Sequence, residues 1–506
     1  MKAYGFQIGA FESLGSGLHY DDRDFTFGLQ ILQAVGERCG LELCSLQDGE
    51  NIHDTDALMV SILSTDMYWD VPKWLRKRQI VIPSGARGED YPLVIGGGQA
   101  FYNPEPVAEV FDLIFVGDAD ENLPLFVDLF HKRRAVLSRE QFLKECRDIP
   151  GIYVPGIDHG RQVAAQNSRD IATSLRVPLL RLPRRVRRVE IARGCKHKCP
   201  FCVLGWRADY RENSASEVLK ALSVPHGSRY VHLQAGDAES HSEIAALRSR
   251  LEDLGLRDKS WTGRLDTVDS NSTLEGGKYY AFGLEAPSLR MRRAYGKPYS
   301  NEFVVNTLRD LYDRGATGLG MHVMLGLPGE GEADLDEWRA LLCEIAALRC
   351  VESHHLTLHW HWAYFQPAAH TPMQWAAPGL TRRMYEIAYE EWGIDNHAAI
   401  FQKIGRRLRS LSRHMCACIS GRGDRASWWL IQDLDKRLAR MHLTAPETPD
   451  VIRGVVAAHG YAPEYFFGAL ERETALPFDF IQARYSQDEL WRAYVTMLKR
   501  LDEPES

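Results

Sequence analysis

Cys195-Lys196-His197-Lys198-Cys199-Pro200-Phe201-Cys202 sets three thiols at spacings of four and three. They lie in a polar loop directly after Val189-Glu190-Ile191-Ala192-Arg193, which reads as a strand. Three thiols so close together rarely arise from packing. Zinc with His197 as fourth ligand is one reading, although structural zinc sites usually pair a C-x-x-C with a second, distant pair. A redox pair is another, but the C-x-x-C alone would serve it. Thiolates also hold iron–sulfur cubes, and three of them would bind three corners and leave one iron open to a chelating amino and carboxylate group. Spacing alone keeps zinc open.

The loop belongs to a chain of 506 residues, 45% hydrophobic and 25% charged. That composition is globular, and the length suggests two or three domains. A net charge of −7 excludes a global basic field for nucleic acid. No apolar run approaches the roughly 20 residues that span a bilayer. Residues 1–10 read as a strand without the basic and apolar regions of a signal peptide, so a cytoplasmic location is expected. Ten cysteines in such a chain point to metal or catalysis rather than disulfides.

Outward from the loop, residues 189–375 alternate strands and helices. Six strands are predicted, at 189–193, 229–234, 260–265, 279–284, 318–325 and 355–361. Ser214-Ala215-Ser216-Glu217 has capping-box form and opens the first helix between them. Residues 301–314 and 334–347 carry helical periodicity. The reading is a partial (β/α)6 barrel of TIM type, with its chemistry on the loops after the strand carboxyl ends. On the sixth strand, Thr357, His359 and His361 alternate with Leu358, Trp360 and Trp362. His359 and His361 are therefore candidates for a substrate pocket, and equally for satisfied interior histidines.

Residues 1–133 also alternate, with apolar runs at 57–63, 92–95 and 112–116 that suit strands covered on both faces. The expectation is a doubly wound, Rossmann-like sheet. Two strand ends are unusual, Ser64-Thr65-Asp66 and Gly96-Gly97-Gly98-Gln99-Ala100-Phe101-Tyr102-Asn103-Pro104-Glu105-Pro106. The triple glycine suits either a close ligand or a sharp turn. No G-x-G-x-x-G dinucleotide fingerprint opens a helix after the first strand. Residues 134–188 read as a connector ending in an arginine-rich run (Arg176, Arg181, Arg184, Arg185, Arg187, Arg188), and residues 376–506 as a helical C-terminal region. Solvated surface is the plainer reading of that run; phosphate binding is the functional one, kept open by a second cluster at Arg406, Arg407, Arg409, Arg413, Arg422 and Arg425. Cys416 and Cys418 read as ordinary buried thiols.

The cysteine loop after the first strand of a partial barrel resembles the radical S-adenosylmethionine superfamily. Leu233-Gln234-Ala235-Gly236-Asp237 stands where the family has a Gly-Gly-Glu-like segment for the methionine amino group, and departs from that consensus. Phe282-Gly283-Leu284-Glu285-Ala286-Pro287-Ser288-Leu289-Arg290 looks like the family's Gly-x-Glu-Ser segment. The resemblance implies that Glu285 meets ribose hydroxyls and that Arg290 or a neighbour pairs with the carboxylate. Val323-Met324-Leu325-Gly326-Leu327-Pro328-Gly329-Glu330 resembles the adenine loop, and Trp261-Thr262-Gly263-Arg264 occupies the third strand. The implied S-adenosylmethionine set is Ala235, Gly236, Asp237, Arg264, Glu285, Arg290, Gly326 and Gly329, with a [4Fe-4S] cluster on Cys195, Cys199 and Cys202.

The front domain resembles the cobalamin-binding type found ahead of many radical enzymes, on Gly96 to Pro106 and on Phe115-Val116-Gly117-Asp118-Ala119-Asp120-Glu121. Ser61, Thr65, Gly96, Gly97, Gly98 and Asn103 are the implied cobalamin contacts. The Asp-x-His-x-x-Gly motif that supplies a cobalt ligand in many such domains is absent, and the nearest stretch, Asp22-Arg23-Asp24-Phe25, has no histidine. The resemblance implies cleavage of S-adenosylmethionine to a 5′-deoxyadenosyl radical that takes hydrogen from a substrate, with cobalamin-dependent methyl transfer as one outcome. An external donor of flavodoxin or ferredoxin type would supply the electron, and the substrate would be a small molecule or a nucleobase. Alternatives are radical modification of RNA or DNA, such as methylthiolation without cobalamin, and a non-catalytic iron–sulfur or zinc scaffold.

Overall fold

Ala57-Leu58-Met59-Val60-Ser61 is buried at every position, as a strand covered on both faces must be. It is β3 of a six-stranded sheet in the computed structural model of the protein. The structure describes residues 1–7, 27–45, 52–158, 160–172, 175, 187–224, 228–258, 262–268, 279–316, 318–348, 357–379, 410–440 and 448–503. Within these, the chain forms two units. One comprises residues 1–182, 412–467 and 473–484, the other residues 183–411, 468–472 and 485–506.

The first unit holds β1 (Lys2–Gln7), β2 (Glu42–Ser45), β3 (Ala57–Ser61), β4 (Leu93–Gly97), β5 (Leu113–Phe115) and β6 (Ile152–Tyr153) in the order β2-β1-β3-β4-β5-β6. All pairs are parallel except β5–β6. Alternate residues Ala57, Met59, Leu93, Ile95, Leu113 and Phe115 pack with Leu29, Val35, Phe126, Val127 and Phe142 from helices on one face. Leu58, Val94 and Ile114 on the other face are equally buried. This is the doubly wound order in which ligands sit beyond the carboxyl ends of β1 and β3, where the winding reverses. A short strand β7 (Val163–Ala164) pairs with Ile481–Gln482.

In the second unit β8 (Arg187–Glu190) is followed by the short pair β9 (Ala192–Arg193) and β10 (Arg211–Glu212). β11 (Tyr230–Gln234) and β12 (Arg257–Asp258) join β8 in a parallel sheet ordered β12-β11-β8. β13 (Thr262–Gly263), β14 (Tyr279–Glu285), β15 (Gly318–Leu325) and β16 (Thr357–Tyr364) form a second parallel sheet in chain order. The predicted third strand at 260–265 is represented by β13, with residues 259–261 outside the described set. Leu319, Met321, Val323 and Leu325 turn outward onto Val304, Leu308, Leu311, Leu341 and Ile345 of the helices Asn301–Asp313 and Glu332–Ala347. Period-two alternation then leaves Gly320, His322 and Met324 on the inner face.

The region 376–506, read from sequence as one helical region, is divided between the two units. The helix Gln487–Asp502 buries Leu490, Tyr494, Met497 and Leu501 and sets Trp491 edge-on to Trp375, with ring centres 5.1 Å apart. The helices Ser410–Arg422 and Ser427–Arg440 fall largely in the first unit. An amphipathic helix settles where its apolar stripe is covered, not where its neighbours in sequence lie. Among the described residues no helix is long and apolar enough to cross a membrane.

Candidate active site

The cysteine loop is shaped by glycines and capped by its own backbone. Gly194 takes a φ of +78°, and a Cβ there would strike the carbonyl of Asp209. A Cβ on Gly205 would strike the carbonyl of His197. Cys202 N–H donates to the Cys199 carbonyl at 3.0 Å, and Trp206 Nε1 donates to the same oxygen at 2.9 Å. Lys198 Nζ donates to the Gly205 carbonyl. Cys199 is buried, and Cys195 and Cys202 are half-buried. Burial pushes all three thiols up, with Lys297 and Arg264 pulling Cys199 back. Arg264 Nη1 stands 3.7 Å from Cys199 Sγ. Metal binding here would release protons from thiols that burial keeps protonated.

The segment after β11 presses on this loop. A Cβ on Gly236 would lie 3.0 Å from the Gly194 carbonyl oxygen and 3.6 Å from Cys195 Cβ. Next to it, Asp237 is 4% exposed. Its Oδ2 accepts from His197 Nε2 at 2.9 Å and from Ser240 Oγ at 2.5 Å. Its Oδ1 is buried with no hydrogen-bond partner. A side chain on Gly263 would begin 3.4 Å from that oxygen, so the glycine keeps the space before it. The geometry bears on the zinc reading too. His197 directs Nε2 to a carboxylate rather than to the thiols, and among the described residues no three His, Cys, Asp or Glu side chains converge on a single metal ion. Ligands to different corners of a cube need not converge in that way.

At the end of β14 the register shifts between Gly283 and Glu285, and Glu285 has a φ of 68°. A left-handed backbone at a residue other than glycine is strained and is found most often at functional sites. Lys297 holds it there, donating to Glu285 Oε1 at 2.7 Å and to the Gly283 carbonyl at 2.9 Å. Both charges act on Cys199 and Cys202. Lys297 was not legible in the sequence. It lies beyond the Glu285 segment, after the helix Leu289–Ala294. Arg290, read as a carboxylate partner, is instead fastened to Asp334 and to the carbonyls of Gly329 and Leu501. At the end of β15, Gly326 and Gly329 take φ values of 69° and 85°. Gly326 N–H donates to Glu330 Oε2 at 3.2 Å, and burial pushes the Glu330 carboxyl up to about 7. Ala235, directly after β11, is half-buried.

On the inner wall, His361 of β16 is the register partner of His322 of β15, and the two imidazoles stack with centres 4.6 Å apart and planes 19° apart. His322 was not picked out from the sequence because it lacks the neighbouring histidines that made residues 359–361 conspicuous. The side chain of His359, the residues Trp261, Asp22 to Phe25, Arg176, Arg181, Arg184, Arg185, Arg406, Arg407 and Arg409, and the side chain of Arg413 lie outside the described residues. Within the arginine-rich run, Arg187 donates to the carbonyls of Ala221, Leu222 and Val224, which end a helix.

The front crest is less uniform than its triple glycine suggests. A Cβ on Gly98 would meet the Ile62 carbonyl oxygen at 2.5 Å, and one on Gly96 would meet Phe101 at 2.7 Å. These two glycines serve internal packing. Gly97 has nothing within 4 Å of its missing Cβ. Leu63, two residues past β3, is 47% exposed, and Ser61 is buried. Asn103 Nδ2 is spent on the carbonyls of Gly421 and Gly423, and Thr65 Oγ1 on that of Ala417. The residues that would fit a flat, largely apolar cofactor at the crest are thus Gly97 and Leu63, not Asn103 or Thr65.

The family described as Radical SAM proteins, N-terminal, matches residues 22–155, and the Radical SAM superfamily matches residues 189–342. A ribosomal protein uS12 methylthiotransferase RimO from a Nocardioides species is 25% identical over 29% of this chain and 35% of its own length. An uncharacterized protein of Methanocaldococcus jannaschii is 22% identical over 58% of this chain and 63% of its own. The chain thus spans less than two thirds of both curated relatives. Among solved structures, the cobalamin-dependent S-adenosylmethionine radical enzyme OxsB, with aqua-cobalamin and S-adenosylmethionine bound, aligns at a TM-score of 0.51 and 12% identity, over 99% of this chain and 79% of its own. That likeness is one of fold. With both family matches in chain order over the two parallel-sheet regions, this protein belongs to the radical S-adenosylmethionine superfamily.

Proposed function

We propose that the protein is a radical S-adenosylmethionine enzyme with a [4Fe-4S] cluster on Cys195, Cys199 and Cys202. The observation that carries this reading is Asp237. A buried carboxylate oxygen without a partner, beside a cluster cysteine, calls for a cationic donor. The methionine ammonium is such a donor. Lys297 offers a cation for the methionine carboxylate, whereas Arg264 is paired through Nε and Nη2 with Asp266 at 2.8 Å. Glu285 is held in a strained turn where it can meet ribose hydroxyls, and the Gly326–Gly329 backbone offers a close approach for adenine. When bound, the cluster supplies one electron to the sulfonium, giving methionine and a 5′-deoxyadenosyl radical. The electron comes from an external donor of flavodoxin or ferredoxin type.

Among finer readings we favour cobalamin-dependent methyl transfer. It is supported by the doubly wound order of the front sheet, by the open crest at Gly97 and Leu63, and by the fold shared with the cobalamin-dependent enzyme OxsB. Bound there, methylcobalamin would supply the methyl group. Methylthiolation has the partial likeness to RimO in its favour. Against it, Cys39, in the turn after the helix Phe27–Gly36, is directed onto the carbonyls of Val35 and Gly36, and Cys146 lies in the apolar core of the first unit.

Anaerobic reconstitution with iron and sulfide, followed by dithionite reduction, should give 5′-deoxyadenosine from S-adenosylmethionine. An intact reduced cluster that never releases it, with or without candidate substrates, overturns the enzyme reading and leaves a scaffold. Incubation with hydroxocobalamin and desalting should leave a coloured protein, and a colourless one removes methyl transfer.

A further inference from the structure

Arg264 is held in place by protein groups alone. Its Nε and Nη2 donate to Asp266 Oδ1 and Oδ2, both at 2.8 Å, as a two-pronged fork. Its guanidinium lies 5.6 Å from the centre of the Tyr299 ring, and the Tyr299 hydroxyl donates to Asp266 Oδ1 at 3.2 Å. Thr267 fixes the backbone, with its N–H and Oγ1 both donating to the Arg264 carbonyl. Nη1, on the opposite edge of the guanidinium, donates to Cys199 Sγ at 3.7 Å. The plane is rigid, so Nη1 cannot turn elsewhere without breaking the Asp266 fork.

The sulfur is held as firmly as its donor. The Cys199 carbonyl takes the Cys202 N–H and Trp206 Nε1, which pins the backbone of the residue. Gly296 has a φ of +80°, and a Cβ there would lie 3.7 Å from Cys199 Sγ. The turn that follows carries Lys297, bound to Glu285, and Tyr299, against the guanidinium. The two cations near Cys199 differ in how well they are neutralised. Lys297 and Glu285 are buried alike, with side chains 9% and 14% exposed, so their charges are closely matched at the sulfur. The Arg264 side chain is 8% exposed and that of Asp266 37%. Water therefore screens the acid more than the base, and the acid lies on the edge of the guanidinium turned away from Cys199.

We infer that Arg264 is a positioning residue that acts through Cys199: its N–H···S bond raises the reduction potential of the iron–sulfur cluster and so eases entry of the electron. The inference rests on the reading of Cys195, Cys199 and Cys202 as cluster ligands. One added electron places one more negative charge on the cluster and its thiolates, and a cationic donor at a thiolate sulfur favours that form. The electron comes from the external donor. No proton is exchanged at Arg264, whose guanidinium stays charged throughout.

The test uses the full chain reconstituted with iron and sulfide. S-adenosylmethionine is left out, so a contact between Arg264 and its carboxylate cannot contribute. Potentiometric titration with mediators, read by electron paramagnetic resonance of the reduced cluster, gives the midpoint. Arg264→Gln is expected to make reduction about tenfold less favourable, a fall of about 59 mV for a one-electron couple. Arg264→Lys, which keeps the charge and loses the fork, should lie between the two. Arg309→Gln, at an exposed position of the helix Asn301–Asp313, should leave the midpoint unchanged. A second measurement needs no variant. Protein made with arginine carrying heavy nitrogen in the guanidinium should show coupling to that nitrogen in the pulsed resonance spectrum of the reduced cluster. A cluster retained in Arg264→Gln at an unchanged or higher midpoint overturns the inference, and so does a reduced cluster without arginine coupling. If Arg264→Gln loses its cluster, the coupling in the unaltered protein decides. Unaltered protein that holds no iron and sulfide overturns the cluster reading and this inference with it, whereas an intact cluster indifferent to Arg264 sinks only the inference.

Discussion

His197 Nε2, inside the cysteine loop, lies 2.9 Å from Asp237 Oδ2, at the end of β11, across 40 residues of sequence. One contact of a buried carboxylate thus ties the loop that carries the thiols to the segment beside it. The second oxygen of that carboxylate is left without a partner. Holding one oxygen fixed aims the other, which is how a positioned acceptor loses little entropy on binding a ligand.

Asp237→Asn should keep the shape and replace an acceptor by a donor. Affinity for S-adenosylmethionine is expected to fall about tenfold or more, since a hydrogen bond to a charged group contributes roughly 1.5–3 kcal/mol. Anaerobic equilibrium dialysis reads this directly. His197→Ala should cost less, because it loosens the carboxylate without removing it. Equal losses in both variants would count against a direct contact.

Replacing Cys195, Cys199 or Cys202 singly by Ala should abolish retention of iron and sulfide after reconstitution, and with it 5′-deoxyadenosine formation. Cys418→Ala should retain both, because Cys418 is buried beside His414 on the helix Ser410–Arg422. Iron and sulfide assays with the visible absorption spectrum settle the comparison. Loss of the cluster in Cys418→Ala, or its survival in Cys199→Ala, would reverse the assignment.

Glu330 makes a pH prediction. Burial pushes its carboxyl from the ordinary 4.5 up to about 7 in the folded protein. The unfolded chain releases this proton first as pH rises, so the contribution to stability is complete below about 4.5. It is lost as pH climbs through about 7 and then stays level. The melting temperature of the unaltered protein relative to Glu330→Gln should therefore fall between pH 5 and pH 8. Parallel melting curves across that window would show that Glu330 titrates normally.

Gly98→Ala should destabilise the first unit by about 1–3 kcal/mol or more, because its φ of +110° and the Ile62 carbonyl oxygen both oppose a Cβ. Gly97→Ala should fall within roughly 0.5 kcal/mol of the parent, since nothing lies within 4 Å. Gly97→Leu should leave the melting temperature near that of the parent and lose the corrinoid colour after desalting. Colour retained in that variant would place any cobalamin elsewhere.

By itself, the sequence determined the two parallel-sheet regions and the order of the loops at their strand ends. Continuous apolar runs such as residues 57–61 bury both faces of a strand, and the alternation at Trp360 and His361 separates the two faces of β16. These are local periodicities, legible wherever they occur. The cysteine spacing likewise marked its loop without help from distant residues.

Only the tertiary structure decided which side chains meet. Strand register brought His322 to His361 and Gly283 to His322, a turn after a helix brought Lys297 to Glu285, and Arg290, expected at a ligand carboxylate, went to Asp334. The helix Ser410–Arg422 and the residues after it took up Thr65 and Asn103, which the front crest alone had suggested were free for a ligand. The division of residues 376–506 between two units had no local signal either, because a helix's apolar stripe records that it will be covered but not by what.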